Sequence, residues 1–197
     1  MMRPLYASEL LAATLFWIIY GGWFLFEILN TIRLRPAPGA RSRDRGSKLA
    51  LIAGVYVAVF LGFAFAFGDP GATIQWHQHV LFYLGLLLMV AGMVLRWYAI
   101  RTLGRSFSLE VMTRADQVVV QAGPYRWIRH PAYSGSLLTV LGILLCATNW
   151  LALACLVPVL AGYGFRILVE EQALASDLGQ PYRDYMRQTK RLIPFLL

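Results

Sequence analysis

The sequence predicts an all-α integral membrane protein of about five transmembrane helices, the last two forming a helical hairpin. Three observations carry this. Hydrophobic residues make up 58% of the 197-residue chain and charged residues only 14%, against about 25% charged in a soluble domain. The apolar residues form long unbroken runs rather than alternating stripes. The basic residues gather in the segments between those runs.

The first run, about Leu5 to Ile32, is long enough to cross a hydrocarbon core of about 30 Å. Only Arg3 precedes it and no small-residue cleavage site follows, so it reads as a retained helix rather than a signal peptide. Glu27, near its end, is expected at the interface. Residues 33–48 (RLRPAPGARSRDRGSK) form a loop rich in Pro and Gly, with Arg33, Arg35, Arg41, Arg43, Arg45 and Lys48 against Asp44. Such a loop stays cytoplasmic. The second run, about Leu49 to Phe67, ends at the turn signal GDPG, 68–71. The short loop that follows to His79 lacks Lys and Arg and belongs outside. The third run is about Val80 to Ile100.

Arg101, Arg105, Arg114, Arg126 and Arg129 mark the next cytoplasmic stretch, 101–134. Two further runs, about Ser136 to Thr148 and Leu151 to Leu168, flank Asn149-Trp150. The first of them is short for a full span, which points to a tight hairpin crossing at a thin or tilted place. Pro158 is expected to kink the last span. The polar tail, 170–197, carries Arg183, Arg187, Lys190 and Arg191. The resulting topology is multi-pass, N-terminus outside and C-terminus cytoplasmic, with Arg3 alone among the Lys and Arg residues on the outer side. By organisation, residues 1–78 are an N-terminal two-helix segment and 79–197 a core with a cytosolic tail.

The net charge of +8 does not indicate nucleic acid. The basic residues lie between membrane runs, where anionic lipid headgroups and topology explain them, and no nucleic-acid module pattern is present. Cys146 and Cys155 sit in apolar runs without disulfide or metal spacing. His77 and His79 form an H-x-H without an evident third ligand and read as an exposed loop.

Two polar features stand against this apolar background. The first is GPYRWIRHPAYSGSLL, 123–138. Gly123-Pro124 is a turn, and Pro131 opens the fourth helix. Arg129 and His130 supply donors at a helix start, where free N–H groups also point outward. Arg126, Trp127 and Arg129 serve equally as interfacial anchors. The second is GYGFRILVEEQAL, 162–174. Arg166 and Glu170 are four apart and share a helix face. Ionisable groups at membrane depth face a cavity or one another. The two features converge on one polar pocket at the cytosolic surface, open sideways to lipid.

GPYRWIRHPAYSG, the later R-x-x-x-E-E and GQPYRDYMRQTKRLIP resemble, in this order, the isoprenylcysteine carboxyl methyltransferase family over about residues 85–195. Phospholipid methyltransferases share the RHPxYxG and paired-glutamate elements. The first two spans carry no such likeness. The resemblance implies an integral membrane methyltransferase with a cytosolic pocket for S-adenosyl-L-methionine. It implies cofactor contacts from Gln117, Val118, Val119 and Val120, from Tyr125, from His130, Pro131, Ala132 and Tyr133, and from Glu170 and Glu171, with Glu110 as a further polar position. The catalytic roles it implies fall to Arg166, which meets the acceptor group, and Glu170, which binds the cofactor's amino group.

The residue types suit that chemistry. A sulfonium cofactor stays in the cytosol, a lipophilic acceptor arrives from the bilayer, and an interfacial site is where the two meet. Transfer is an in-line displacement that needs mostly alignment. A carboxylate is already ionised at neutral pH, and Arg166 can hold it by charge-assisted hydrogen bonds. A phospholipid amine would first have to lose a proton, for which Glu171 is available. The expected acceptor is therefore a carboxylate, such as a prenylcysteine-like compound. Two other classes compete. Membrane sterol reductases carry an RHPxYxG-like element, but an NADPH phosphate wants Arg or Lys where this chain has paired acids. A small transporter is opposed by the absence of broken helices in two matching halves. The tail segment PYRDYMRQTKRLIP is expected to form an amphipathic surface helix that caps the pocket.

Overall fold

The structure, a computed structural model, describes residues 4–33, 46–104 and 119–194. The helices are α1 (Leu5–Ser8), α2 (Leu10–Arg33), α3 (Ser47–Gly68), α4 (Gln78–Leu103), α5 (Pro131–Cys146), α6 (Trp150–Ala154), α7 (Leu156–Asp177) and α8 (Gln180–Gln188). A helix pairs its own backbone polar groups, as a solvent without hydrogen bonds demands. Among the described residues, α2, α3, α4 and the stretch from α6 through α7 are long and apolar enough to cross a membrane, and α5 is a shorter apolar helix. Leu10, Leu49, Phe60 and Val157 point outward and are more than half exposed. Outward apolar side chains along the long helices are what lipid, rather than water, accommodates. The chain is an all-α, multi-pass membrane protein.

Three details differ from the run boundaries. The first run is broken at Glu9, whose backbone is extended, and α1 folds back so that Tyr6 stacks on Phe16 with ring centroids 4.5 Å apart. The fourth helix starts at Pro131, as expected from that proline, ahead of the apolar run that begins near Ser136. Its 16 residues still span only about 24 Å. The last run is interrupted at Cys155, between α6 and α7. Pro158 explains the break, because it has no N–H to offer the Ala154 carbonyl one turn back. Beyond it, α7 continues past Leu168 to Asp177, so the Arg166–Glu171 turn lies inside a helix.

Asn149 makes the turn of the hairpin. Its Oδ1 accepts from the N–H groups of Leu151 and Ala152, capping α6, and its Nδ2 donates to the carbonyls of Phe65 and Asp69 at the end of α3. A side chain 1% exposed thus has its polar atoms paired.

The hairpin limbs find their largest partners outside the hairpin: α5 packs most extensively on α4, and α7 on α3. Glycines permit the first of these. A Cβ at Gly92 would lie 2.5 Å from the Gly135 carbonyl oxygen, and one at Gly142 would lie 2.5 Å from that of Gly85. The pairs repeat at the same seven-residue spacing on both helices, so one face of each is bare backbone over two turns. This contact fixes the start of α5 against the last turns of α4.

Candidate functional site

Local chain geometry presents the polar corner. Gly123 has φ 53°, a left-handed conformation that suits glycine, and opens a 3-10 turn over Gly123–Arg126. Pro131 then occupies the first helical position of α5. The His130 carbonyl accepts from the N–H groups of Tyr133 and Ser134, each at 3.0 Å. His130 and Tyr133 consequently stack, with ring centroids 5.4 Å apart and planes 9° from parallel.

The Tyr133 hydroxyl joins the two polar features of the sequence. It donates to Glu170 Oε2 at 2.5 Å and accepts from Arg166 Nε at 3.2 Å. Arg166 Nη1 donates to Ser47 Oγ at 2.6 Å, in the first turn of α3. Arg166 is 2% exposed. A guanidinium so far from water needs such partners to offset its desolvation.

One ion pair was not anticipated. Glu27, expected at the interface, reaches inward from α2 to Arg96 on α4, with Nε–Oε1 at 2.7 Å and Nη2–Oε2 at 3.0 Å. Arg96 Nη1 also donates to the Ala132 carbonyl at 3.3 Å. The sequence carried one signal for this pair: two opposite charges inside separate apolar runs, each shortly before a basic segment.

The paired acids part company. Glu170 is on the wall of the cavity described below. Glu171 is not; it is buried and accepts from Arg129 Nε at 2.7 Å and Arg191 Nε at 3.1 Å, with His130 Nε2 at 3.3 Å. Arg129 also donates to the carbonyls of Met186 and Thr189. Backbone bonds from Arg129 and His130 to the carbonyls of Lys190 and Arg191 extend this seam. The geometry gives Glu171 to holding the tail, because three donors already surround it. Arg129 belongs to the same clamp rather than serving as a free anchor at the surface. Trp127, 54% exposed, keeps the anchor geometry, with the Arg126 guanidinium 6.0 Å from its ring centre.

The tail helix α8 buries Tyr182 and Tyr185 and exposes Arg183 and Arg187. The Tyr185 hydroxyl donates to the Tyr125 carbonyl at 2.8 Å. Burial pushes the Tyr185 phenol up to about 12. Burial and the nearby Glu170 charge push the Tyr125 phenol above its ordinary range. Both are neutral donors at physiological pH.

These groups line one cavity that is open at its mouth. Its polar wall carries Glu27, Arg96, His130, Tyr133, Arg166 and Glu170, and Trp23, Leu51, Ile52, Val55 and Val140 line it with apolar surface. Tyr125 and Ala132 also border it. Pro131 is fully buried behind the corner. Val119 and Val120 are half-buried ahead of the Gly123 turn and are not on the wall. Glu110, Gln117 and Val118 lie outside the described residues. Helices on both sides of residue 78 contribute, including α2 through Glu27.

Fold and site together define a multi-pass helical membrane protein whose helices enclose a cavity with a charged wall and an apolar one. Residues 84–176 match the model of the isoprenylcysteine carboxyl methyltransferase (ICMT) family. A protein-S-isoprenylcysteine O-methyltransferase of Tribolium castaneum is 37% identical over 133 residues, covering 64% of this chain and 45% of the relative. That of Saccharomyces cerevisiae is 37% identical over 116 residues, covering 57% and 48%. The chain spans about half the length of these two relatives. A solved structure described as the eukaryotic intramembrane Ras methyltransferase ICMT matches with a TM-score of 0.63 at 27% identity, over 97% of this chain and 70% of that one. At 97% coverage, that likeness takes in the first two membrane helices, which had shown none by motif.

Proposed function

We propose that this protein is a membrane methyltransferase that uses S-adenosylmethionine to methylate the carboxylate of a lipophilic, prenylcysteine-like acceptor drawn from the bilayer. The observation that carries the reading is one cavity in which the Arg166–Tyr133–Glu170 cluster faces apolar walls from α2, α3 and α5. The cofactor is zwitterionic in its amino acid tail and cationic at sulfur, and the polar wall offers both carboxylates and guanidinium groups, which fits it. When bound, it supplies an electrophilic methyl group that a carboxylate oxygen takes while sulfur keeps the bond pair.

Glu170 binds the cofactor's ammonium by a charge-assisted hydrogen bond. The His130–Tyr133 stack borders it, and Ala132 and Tyr125 close the same side. Arg166 holds the acceptor carboxylate. Because that carboxylate is already ionised, no residue has to remove a proton. The buried setting of Arg166 strengthens its hold on an anion. Tyr133, bonded to both Arg166 and Glu170, keeps acceptor and donor sites in register, which is what a displacement limited by alignment requires. The apolar wall receives the lipid chain. The relatives' names, all isoprenylcysteine O-methyltransferases, favour a carboxylate over a phospholipid amine or a reductase substrate. The polar wall and the C-terminus are placed in the cytosol and the N-terminus outside, by the positions of the basic segments.

The test is transfer of labelled methyl groups by purified protein in lipid nanodiscs to prenylcysteine analogues and to phospholipids. Label that base releases from a prenylcysteine analogue is the expected product, since esters hydrolyse and methylamines do not. Base-stable label on an amine lipid, or no transfer with any acceptor, would overturn the reading.

A further inference from the structure

The methyl-transfer reading uses Arg166, Glu170, Tyr133 and His130. It leaves unexplained why a buried ion pair between α2 and α4 occupies the same cavity wall. A buried pair is weak evidence for stability, because desolvation offsets much of its attraction. Two observations suggest another use. Beyond its pairing with Glu27, Arg96 donates to the carbonyl of Ala132, and Ala132 is flanked by the stack of His130 and Tyr133. Two of its nitrogens also face the two Glu27 oxygens, Nη2 in a hydrogen bond at 3.0 Å and Nε in charge contact at 2.7 Å, which orients the guanidinium. The α4 backbone presses on the same point: a Cβ at Gly135 would lie 2.7 Å from Arg96 N.

We propose that Glu27 and Arg96 are positioning residues: Glu27 orients Arg96, and Arg96 fixes the Ala132 carbonyl and with it the His130–Tyr133 corner. On this account the N-terminal helix α2, which lies outside residues 84–176, completes the site rather than only anchoring it. The chain of contact runs Glu27, Arg96, Ala132 carbonyl, first turn of α5, Tyr133 hydroxyl, then Arg166 and Glu170. The inference rests on the methyl-transfer reading.

A charge swap separates positioning from helix docking. In Glu27→Arg/Arg96→Glu the ion pair between α2 and α4 can re-form, but a carboxylate at position 96 has no proton to donate to the Ala132 carbonyl. Full-length wild type, Arg96→Met, Glu27→Gln and the swap are compared in nanodiscs by thermal unfolding, by S-adenosylhomocysteine affinity and by kcat and KM for a prenylcysteine analogue. Arg96→Met is expected to lower kcat by about 100-fold, the size of a small misplacement at a reacting centre. The swap should regain most of the unfolding temperature without regaining kcat. A swap that restores both shows that the pair only docks α2, and overturns the proposal. If the swap does not fold, Glu27→Gln decides, since it keeps shape and loses charge. A kcat lowered about tenfold with KM within about twofold supports positioning, and a wild-type kcat overturns it. Wild type that transfers no methyl group brings down the functional reading itself, whereas an active wild type with a rescued swap removes this inference alone.

Discussion

The Tyr133 hydroxyl stands between Arg166 and Glu170, accepting from one at 3.2 Å and donating to the other at 2.5 Å. Tyr133→Phe keeps the ring that stacks on His130 and removes only this bridge. Because hydrogen bonds to charged groups contribute about 1.5–3 kcal/mol, kcat should fall roughly 10- to 100-fold. The unfolding temperature should change little. A variant with full kcat would show that the bridge is incidental.

Arg166 and Glu170 should separate in their effects although they share one helix face. Arg166→Ala is expected to abolish turnover while S-adenosylhomocysteine still binds, because the proposed function gives the guanidinium to the acceptor. Glu170→Ala is expected to weaken cofactor binding about tenfold or more, the worth of a charge-assisted bond. Calorimetric titration of both variants checks this, and affinity unchanged by Glu170→Ala contradicts the assignment.

Glu171 should behave as a structural residue despite its place beside Glu170. Glu171→Ala strands the Arg129 side chain, 8% exposed, without a carboxylate, against carbonyls and the Thr189 hydroxyl. Breaking a buried pair costs about 3–5 kcal/mol, so the variant should unfold at lower temperature, and proteases should cut its tail near residues 186–192. Arg191→Ala should cost far less, under about 1 kcal/mol, because that side chain is 47% exposed. Equal losses in the two variants would refute this ranking.

The α4–α5 contact should tolerate no side chain at its glycines. Gly92→Leu forces an atom to within 2.5 Å of the Gly135 carbonyl oxygen, and neither backbone can yield without separating the helices. Loss of monodisperse protein is expected on size-exclusion chromatography. Gly54→Leu, where a Cβ meets nothing within 4 Å, is the control and should behave as wild type.

Helix number and order were legible because the membrane imposes one rule on every span: about twenty apolar residues in helical form. The Arg166–Glu170 pairing was equally legible, since a four-residue spacing places two side chains on one helix face whatever surrounds them. The start of α5 was legible in Pro131 rather than in hydropathy, because Pro131, Ala132 and Tyr133 lie outside the apolar run yet belong to its first turn.

Hydropathy and local spacing are properties of neighbours in sequence, and they alone determined the membrane class, the spans and the two polar motifs. Only the tertiary structure decided that Glu27 meets Arg96, 69 residues away, that Glu171 is spent on the tail while Glu170 faces the cavity, and that α5 lies closest to α4. Each of those outcomes depends on which helix faces meet in three dimensions. Inside lipid that choice is made by close packing of bare glycine backbone and by polar groups finding partners, neither of which leaves a periodic mark along the chain.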